Sequence, residues 1–403
     1  MDRVYLFDEA WDVVKSLVPS PAIEEVELDF AQGRVLAADV KARINVPPFA
    51  RAMMDGFAVQ SGDVAQENAR LTVIGSAAAG EWCRLKVEPG QAVRIMTGAA
   101  VPEGADTVVR FEWCQEVSPK EVVVLKSVRY SESVQPEGED GRKGSVILRR
   151  GTVLKATDIA LGRTFGVSSA TVFKRPAATI VVTGSELVQD VHQPLAPGQI
   201  YGTNDSFLKG ALVEDGIEVT GVYYVRDDPA EIEQAIVQSM EKANFILLTG
   251  GASAGDFDFV PNVLSKLSGG LAVKKVLMRP GSPFAAAKIG DHIAFAMSGN
   301  PAAGFVQFET LVRPVIRRAC SWNHTPFQAS GKLAHDLELK PIKHVRIFRA
   351  KAVVVDGEVL VDARVSQSSG VMSSFAETNC LIRLDSSSVA KGTVVALRWF
   401  NTF

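Results

Sequence analysis

Cysteine is scarce in this chain of 403 residues, with Cys83, Cys114, Cys320 and Cys380 scattered and none in a Cys-x-x-Cys pair. That pattern argues against a disulfide framework or a zinc knuckle and fits a reducing compartment. The five histidines form no His-x-x-x-His pair. An excess of one charge is also missing. Lys and Arg number 43 against 46 Asp and Glu, a net charge of −3 that leaves no footprint for nucleic acid. No apolar run approaches the roughly 20 residues of a membrane span. The N-terminal Met-Asp-Arg-Val-Tyr-Leu-Phe-Asp-Glu-Ala has early acids and no apolar core, so no secretory signal is read there. The expectation is a cytoplasmic protein with neither nucleic-acid nor membrane partners.

What is present is ordinary globular composition, 47% apolar and 22% charged, at a length that suggests two to four domains. Residues 176–318 read as an open α/β sheet. The runs at 178–182 and 245–248 are short, apolar and rich in β-branched residues, as buried parallel strands are. Each is followed at once by a polar loop, Thr183-Gly184-Ser185-Glu186-Leu187 and Thr249-Gly250-Gly251-Ala252-Ser253-Ala254-Gly255-Asp256-Phe257-Asp258. Ligands on such sheets bind beyond the carboxyl ends of the strands, where both loops fall. The second loop has no Gly-Lys-Ser/Thr ending and no Gly-x-Gly-x-x-Gly, which disfavours a P-loop and a dinucleotide fold. Its glycines let backbone N–H groups approach an anion, and its carboxylates suit a hard cation. A plain glycine turn with Asp258 capping a helix over 259–267 fits those residues equally well.

Further along, Asn204 and Asp205 precede an apolar segment at 207–213, and 218–225 reads as a strand. In Arg226-Asp227-Asp228-Pro229, Asp228 suits an N-cap and Pro229 the first helical position, which leaves Asp227 the freer acid. Met278-Arg279-Pro280-Gly281-Ser282-Pro283 and Met297-Ser298-Gly299-Asn300-Pro301 are two more strand-end loops, and a helix over about 302–318 closes the unit. Residues 7–18 read as an amphipathic helix with Ala10, Val13, Val14 and Leu17 on one face, structural in role.

Residues 23–173 look mostly β, with runs at 35–40, 71–77, 92–97, 107–111 and 122–128. Between them lie Met54-Asp55-Gly56, Thr97-Gly98-Ala99 and Gly138-Glu139-Asp140, each on its own an ordinary turn. Residues 322–403 are again β, a small barrel or sandwich, with Asp356-Gly357 as a type I′ hairpin signal. The loop Ser366-Gln367-Ser368-Ser369-Gly370 offers hydroxyls to a polar ligand, and reads equally well as plain surface.

Taken in order, these motifs carry a resemblance: Met54-Asp55-Gly56-Phe57-Ala58, Ile95-Met96-Thr97-Gly98-Ala99, Val101-Pro102-Glu103-Gly104-Ala105-Asp106, Gly138-Glu139-Asp140, Thr183 to Leu187, Gly250 to Asp258, and Gly299-Asn300-Pro301. The chain resembles the molybdopterin molybdenumtransferase (MoeA) family, whose eukaryotic relative is the E domain of gephyrin, over nearly its whole length. The resemblance implies a mixed α/β multidomain fold. An extended discontinuous domain would occupy 1–43 and 141–173, a β-rich inserted domain 44–140, a MogA/MoaB-like open α/β sheet domain 174–321, and a C-terminal β-barrel 322–403. It implies insertion of molybdate, or tungstate, into adenylylated molybdopterin with release of AMP, dependent on Mg2+. It also implies a homodimer and, as a further partner, the adenylyltransferase that supplies the substrate.

Carried over residue by residue, the resemblance makes Glu186 and Asp258 cation ligands and catalytic acids. Asp55 and Thr97 would face the same cleft from the neighbouring subunit. Gly250, Gly251, Ser253, Asp227, Arg279, Ser282 and Asn300 would hold substrate and phosphate. An acid-rich site of this kind needs a cation to hold anionic phosphate and molybdate. The chain departs from the family in places. Arg279-Pro280-Gly281-Ser282-Pro283 stands where relatives have Lys-Pro-Gly-Lys-Pro, Ser298 replaces a proline, and Ala52-Met53 replaces Ser-Ala. Arg279 keeps its charge and Ser282 does not. Two rival readings use the same residues, a scaffold of the gephyrin type and a nucleotide-pyrophosphate hydrolase without metal insertion.

Overall fold

The computed structural model describes residues 3–251 and 259–400. It divides into two compact units, one made of residues 25–32 and 36–172, the other of 1–24, 33–35 and 173–403.

In the first unit, a six-stranded sheet runs in the order Thr107–Arg110, Gly56–Val59, Gln91–Ile95, Ala69–Ala77, Glu121–Val124, Cys114–Ser118. Gly56–Val59 is buried throughout, because it is flanked on both sides and covered on both faces. A separate small core gathers Leu28, Leu36, Leu148, Leu154 and Val172 around the helix Ala156–Thr164. The strand expected at 35–40 is largely missing. Only Val40–Lys41 is strand. The Leu36 and Ala37 N–H groups go to Thr152 and Thr171 on two different segments, so no continuous ladder forms.

The second unit is built on a sheet in the order Glu218–Val225, Ala177–Thr183, Phe245–Thr249, His292–Met297, Pro283–Ile289, Val273–Lys275. The first four strands are parallel and the last two add an antiparallel edge. Ala177–Thr183 and Phe245–Thr249 are buried almost end to end, as strands covered on both faces must be. Helices Asn204–Glu214 and Pro229–Met240 cross between them. The apolar segment at 207–213 is therefore helical. Asp228 caps the second helix as expected, accepting from the Ala230 and Glu231 N–H groups at 2.9 and 3.0 Å. The N-terminal helix Phe7–Ser16 buries Phe7, Ala10 and Val14 in the core on one face of this sheet.

The expected closing helix spans 301–319, with a π-turn at Phe308–Val312. Pro314 explains the widening, since it gives no N–H to the carbonyl four residues back and its ring crowds that carbonyl. Beyond it, strands Val345–Val355, Glu358–Asp362, Ala329–Leu333, Val394–Trp399 and Cys380–Leu384 pair in a ring that closes on itself, a five-stranded barrel. The hairpin at Asp356-Gly357 has φ of 51° and 81°, as a type I′ turn requires. A sixth strand, Met278–Arg279, joins the barrel alongside Val345–Arg346.

Candidate functional site

The parallel strands end together, and the turns that follow them enclose a cleft of about 360 Å³. Glu186, Asp227, Asn204, Tyr201, Gly251 and Asn300 are among its lining. Close packing of glycine on backbone shapes the floor. Gly250 has φ +94°, and a Cβ there would stand 2.3 Å from the Thr183 carbonyl oxygen and 2.6 Å from its Oγ1. Gly251 has φ +56°, and a Cβ there would meet Thr183 Oγ1 at 3.1 Å and Asp227 Oδ1 at 3.8 Å. A side chain at either position would press on the Thr183 hydroxyl, and at Gly250 on the Thr183 carbonyl as well.

The two glycines differ as donors. The Gly250 N–H donates to Met297 O at 3.3 Å. The Gly251 N–H has no acceptor among the described residues. Asn204, at the start of its helix, donates to Thr249 Oγ1 (2.6 Å) and Gly299 O (3.0 Å) and so fixes two of the strand-end turns to each other. Its role was not legible in sequence, where Asn204 stood only as a polar residue ahead of an apolar segment.

Three oxygen groups are left open. Thr183 Oγ1 is buried with no hydrogen-bond partner. The Glu186 and Asp227 carboxylates make no side-chain hydrogen bond or ion pair among the described residues, whereas neighbouring Asp228 is committed to its cap. No three acidic, histidine or cysteine side chains converge as a ready metal centre among the described residues. Two carboxylates and an orphaned hydroxyl are still a hard-oxygen set, and they suit magnesium, which keeps several waters and shares its shell with phosphate. Ser253 and Asp258 lie outside the described residues.

Arg279 and Ser282 do not line this cleft. The Ser282 hydroxyl donates to Val276 O at 2.9 Å, within its own turn. Gln307 joins that turn to the cleft. Its buried amide donates to Gly281 O (2.7 Å) and Pro283 O (2.5 Å) and accepts from the Ser298 N–H (2.7 Å). Arg279 stands beside Arg346 in register, two cations with no acid paired to Arg279 among the described residues. Close by in the same strand, Arg349 is 1% exposed and donates to Ser366 O (2.6 Å) and Ser368 O (2.9 Å), while its Nε and Nη1 have no partner. Burial pulls its pKa down. The 366–370 loop thus uses its carbonyls to hold a buried cation, and the Ser369 carbonyl accepts from Ala302 N–H at the start of the closing helix. Sequence gave no signal for Gln307 or Arg349, since each acts through contacts made only after the fold closes.

In the other unit, Asp55 and Thr97 come together. Thr97 N–H and Oγ1–H both donate to Asp55 Oδ1 at 2.7 Å. These two bonds, the backbone one first, hold the carboxyl below its ordinary range and keep it ionised.

The chain matches three families in succession: the MoeA N-terminal region (domain I and II) over residues 6–166, a probable molybdopterin binding domain over 179–318, and the MoeA C-terminal region (domain IV) over 331–398. It is 38% identical over 372 residues to a molybdopterin molybdenumtransferase of Bacillus subtilis (strain 168), covering 90% of this chain and 85% of that protein. It is 32% identical over 378 residues to one of Staphylococcus aureus (strain COL), covering 92% and 89%. The crystal structure of the molybdopterin biosynthesis MoeA protein from Pyrococcus horikoshii superposes with a TM-score of 0.84 at 29% identity, with 100% of both chains covered.

Proposed function

The chain belongs to the molybdopterin molybdenumtransferase family and is a transferase of molybdenum cofactor biosynthesis, and on that premise we propose that it inserts molybdate into adenylylated molybdopterin with release of AMP. The observation that carries this reading is the cleft lined by Glu186, Asp227 and Gly251, where the two carboxylates and Thr183 Oγ1 have no hydrogen-bond partner among the described residues. The Gly251 N–H and the Asn300 amide bind phosphate oxygens. Glu186 and Asp227 orient the attacking water toward the phosphoanhydride. With Thr183 they would hold magnesium. A bound magnesium ion neutralises the phosphate charge and polarises the P–O bond. Arg279 and the buried Arg349 draw the molybdate anion to the neighbouring turns, where it relieves the repulsion between Arg279 and Arg346.

The protein acts as a homodimer in which the Asp55–Thr97 pair of one subunit completes the cleft of the other. Mixing Asp55→Ala with Glu186→Ala subunits restores part of the activity that each lacks alone. A monomeric mass by light scattering, or no recovery after verified subunit exchange, would overturn this arrangement. The deciding assay for the reaction combines the protein with adenylylated molybdopterin, magnesium and molybdate or tungstate, and scores AMP and metal-loaded cofactor together. AMP release with no metal gain would make the protein a hydrolase. Neither product, with partner binding that survives loss of the acids, would make it a scaffold.

A further inference from the structure

At one end of the six-stranded sheet that carries Asp55, three segments are joined through their backbones. The Gly98 N–H donates to Ala52 O (2.8 Å), the Val101 N–H to Ala50 O (2.9 Å) and the Met96 N–H to Ala77 O (3.1 Å). A Cβ on Gly98 would stand 3.8 Å from that of Ala79, so the segment leading to Trp82 runs beside Thr97. On this platform Phe49 and Trp82 meet edge to face, with ring centroids 6.0 Å apart at 83°. Trp82 is 70% exposed, and Met53 and Met54 beside Asp55 are exposed as well. An indole so open adds little to any core, and an edge-to-face contact holds it without covering it. Asp55 adds a polar group beside the exposed Met54, tied through Thr97 to the segment that carries Gly98. Its Oδ1 receives both Thr97 donors, and its Oδ2 receives none among the described residues.

We propose that Trp82, steadied by Phe49, is a stacking shelf for a fused-ring heterocycle of the substrate, with Asp55 Oδ2 accepting from the amino group on the ring edge. The proposal rests on the functional reading above. The match is one of chemistry: a flat π-face for the indole and an N–H donor for an ionised carboxylate. The adenylylated pterin carries two such heterocycles, the pterin and the adenine, and each presents a flat pyrimidine-type ring with an exocyclic amino group.

Calorimetric titration of the full-length protein with AMP and, separately, with 6-carboxypterin tells the two apart. Aromatic stacking of a base is lost with truncation, so Trp82→Ala weakens one of these ligands roughly ten- to hundredfold, while Trp82→Phe stays within about threefold of wild type. The ligand affected identifies the ring. In turnover, Trp82→Ala raises KM for adenylylated molybdopterin and leaves kcat and the molybdate dependence unchanged. Equal affinities for both ligands across the three proteins would overturn the shelf. So would a change of oligomeric mass in Trp82→Ala with ligand affinities intact, which would make this face a protein contact. Loss of ligand affinity in Trp82→Ala, alongside a wild type that forms neither AMP nor cofactor, would leave the shelf standing and remove the functional reading.

Discussion

Two groups of acids lie in the same unit and could hardly be treated more differently. Beyond the parallel strands, Glu186 and Asp227 face a cleft with no cation beside them among the described residues. On the closing helix and against it, Glu309 and Asp215 are buried and fully paired. Glu309 accepts from Arg313 (2.7 Å) and Arg398 (2.8 Å), and Asp215 takes two bonds from Arg313 and two from Arg317. Burial works against the Asp215 carboxylate, but the bonds from Arg313 and Arg317 outweigh it and hold its pKa down. The contrast teaches that an acid engaged on every side supports structure, while an acid left open at a strand end is available for chemistry. Residue type alone separates neither group from the other.

The largest effects should come from closing the open acids. Glu186→Gln and Asp227→Asn each lower AMP release at least about a hundredfold, the scale on which loss of one transition-state contact acts. Both sit on turns, so thermal melting should hardly move. Wild-type turnover in either variant would remove the assignment.

The paired acids should behave in the opposite way. Glu309→Gln leaves Arg398 and part of Arg313 uncompensated in the interior. Breaking a buried pair of this kind costs about 3–5 kcal/mol, read by urea unfolding. AMP release per folded molecule should persist. A variant as stable as wild type but inactive would dissolve the distinction between the two groups.

His324 gives the same cluster a pH signature. Burial, then the charges of Arg317 and Arg398, press its pKa down to about 3. Its Nε2 accepts from Arg317 at 2.7 Å, which requires the neutral ring. The folded pKa lies below the unfolded one, so the unfolded chain binds the extra proton. This stability is complete above the unfolded value near 6.5 and is lost as pH falls toward 3. Allowing for partial solvent screening, the effect is on the order of 2 kcal/mol. His324→Asn should flatten the decline of melting temperature between pH 6.5 and 4. An unchanged slope would place the acid sensitivity elsewhere.

The smallest effect concerns the turn that holds Arg279. Arg279→Ala should raise the molybdate concentration for half-maximal cofactor formation, and Ser282→Lys should lower it, each by about three- to tenfold and less so in high salt. Flat half-saturation values across the three proteins would take this turn out of the site.

Much of the scaffold could be read from local pattern. The runs at 178–182 and 245–248 are strands because β-branched apolar residues fill a sheet covered on both faces. The Asp228-Pro229 start and the Asp356-Gly357 hairpin are set by backbone chemistry within a few residues. The strand expected at 35–40 failed because its donors find carbonyls on two remote segments. The site was legible only in part. Glu186, Asp227 and the glycines announce themselves as polar residues after apolar strands. Gln307 and Arg349 look like ordinary helix and strand residues until distant turns fold against them. Gly250 was expected to be a donor, and what it provides is room for Thr183, with its own N–H engaged by Met297.

The short strand Met278–Arg279 carries a lesson about where this protein can be cut. Three residues earlier the chain is the edge of the α/β sheet, at Val273–Lys275, and four residues later it re-enters that sheet at Pro283–Ile289. In between it lies against Val345–Arg346 of the barrel. The C-terminal match begins at residue 331, yet the barrel already has a strand taken from Met278–Arg279, well upstream of that start. The barrel is therefore grafted into its neighbour. A chain stopped near residue 321 would lay bare Met278, which is wholly buried, and an unpaired stretch of backbone at the turn bearing Arg279. Recombination between relatives at the apparent module boundary would exchange one half of a weld and keep the other. Shuffling that respects the physics must move residues 276–282 together with the barrel they serve.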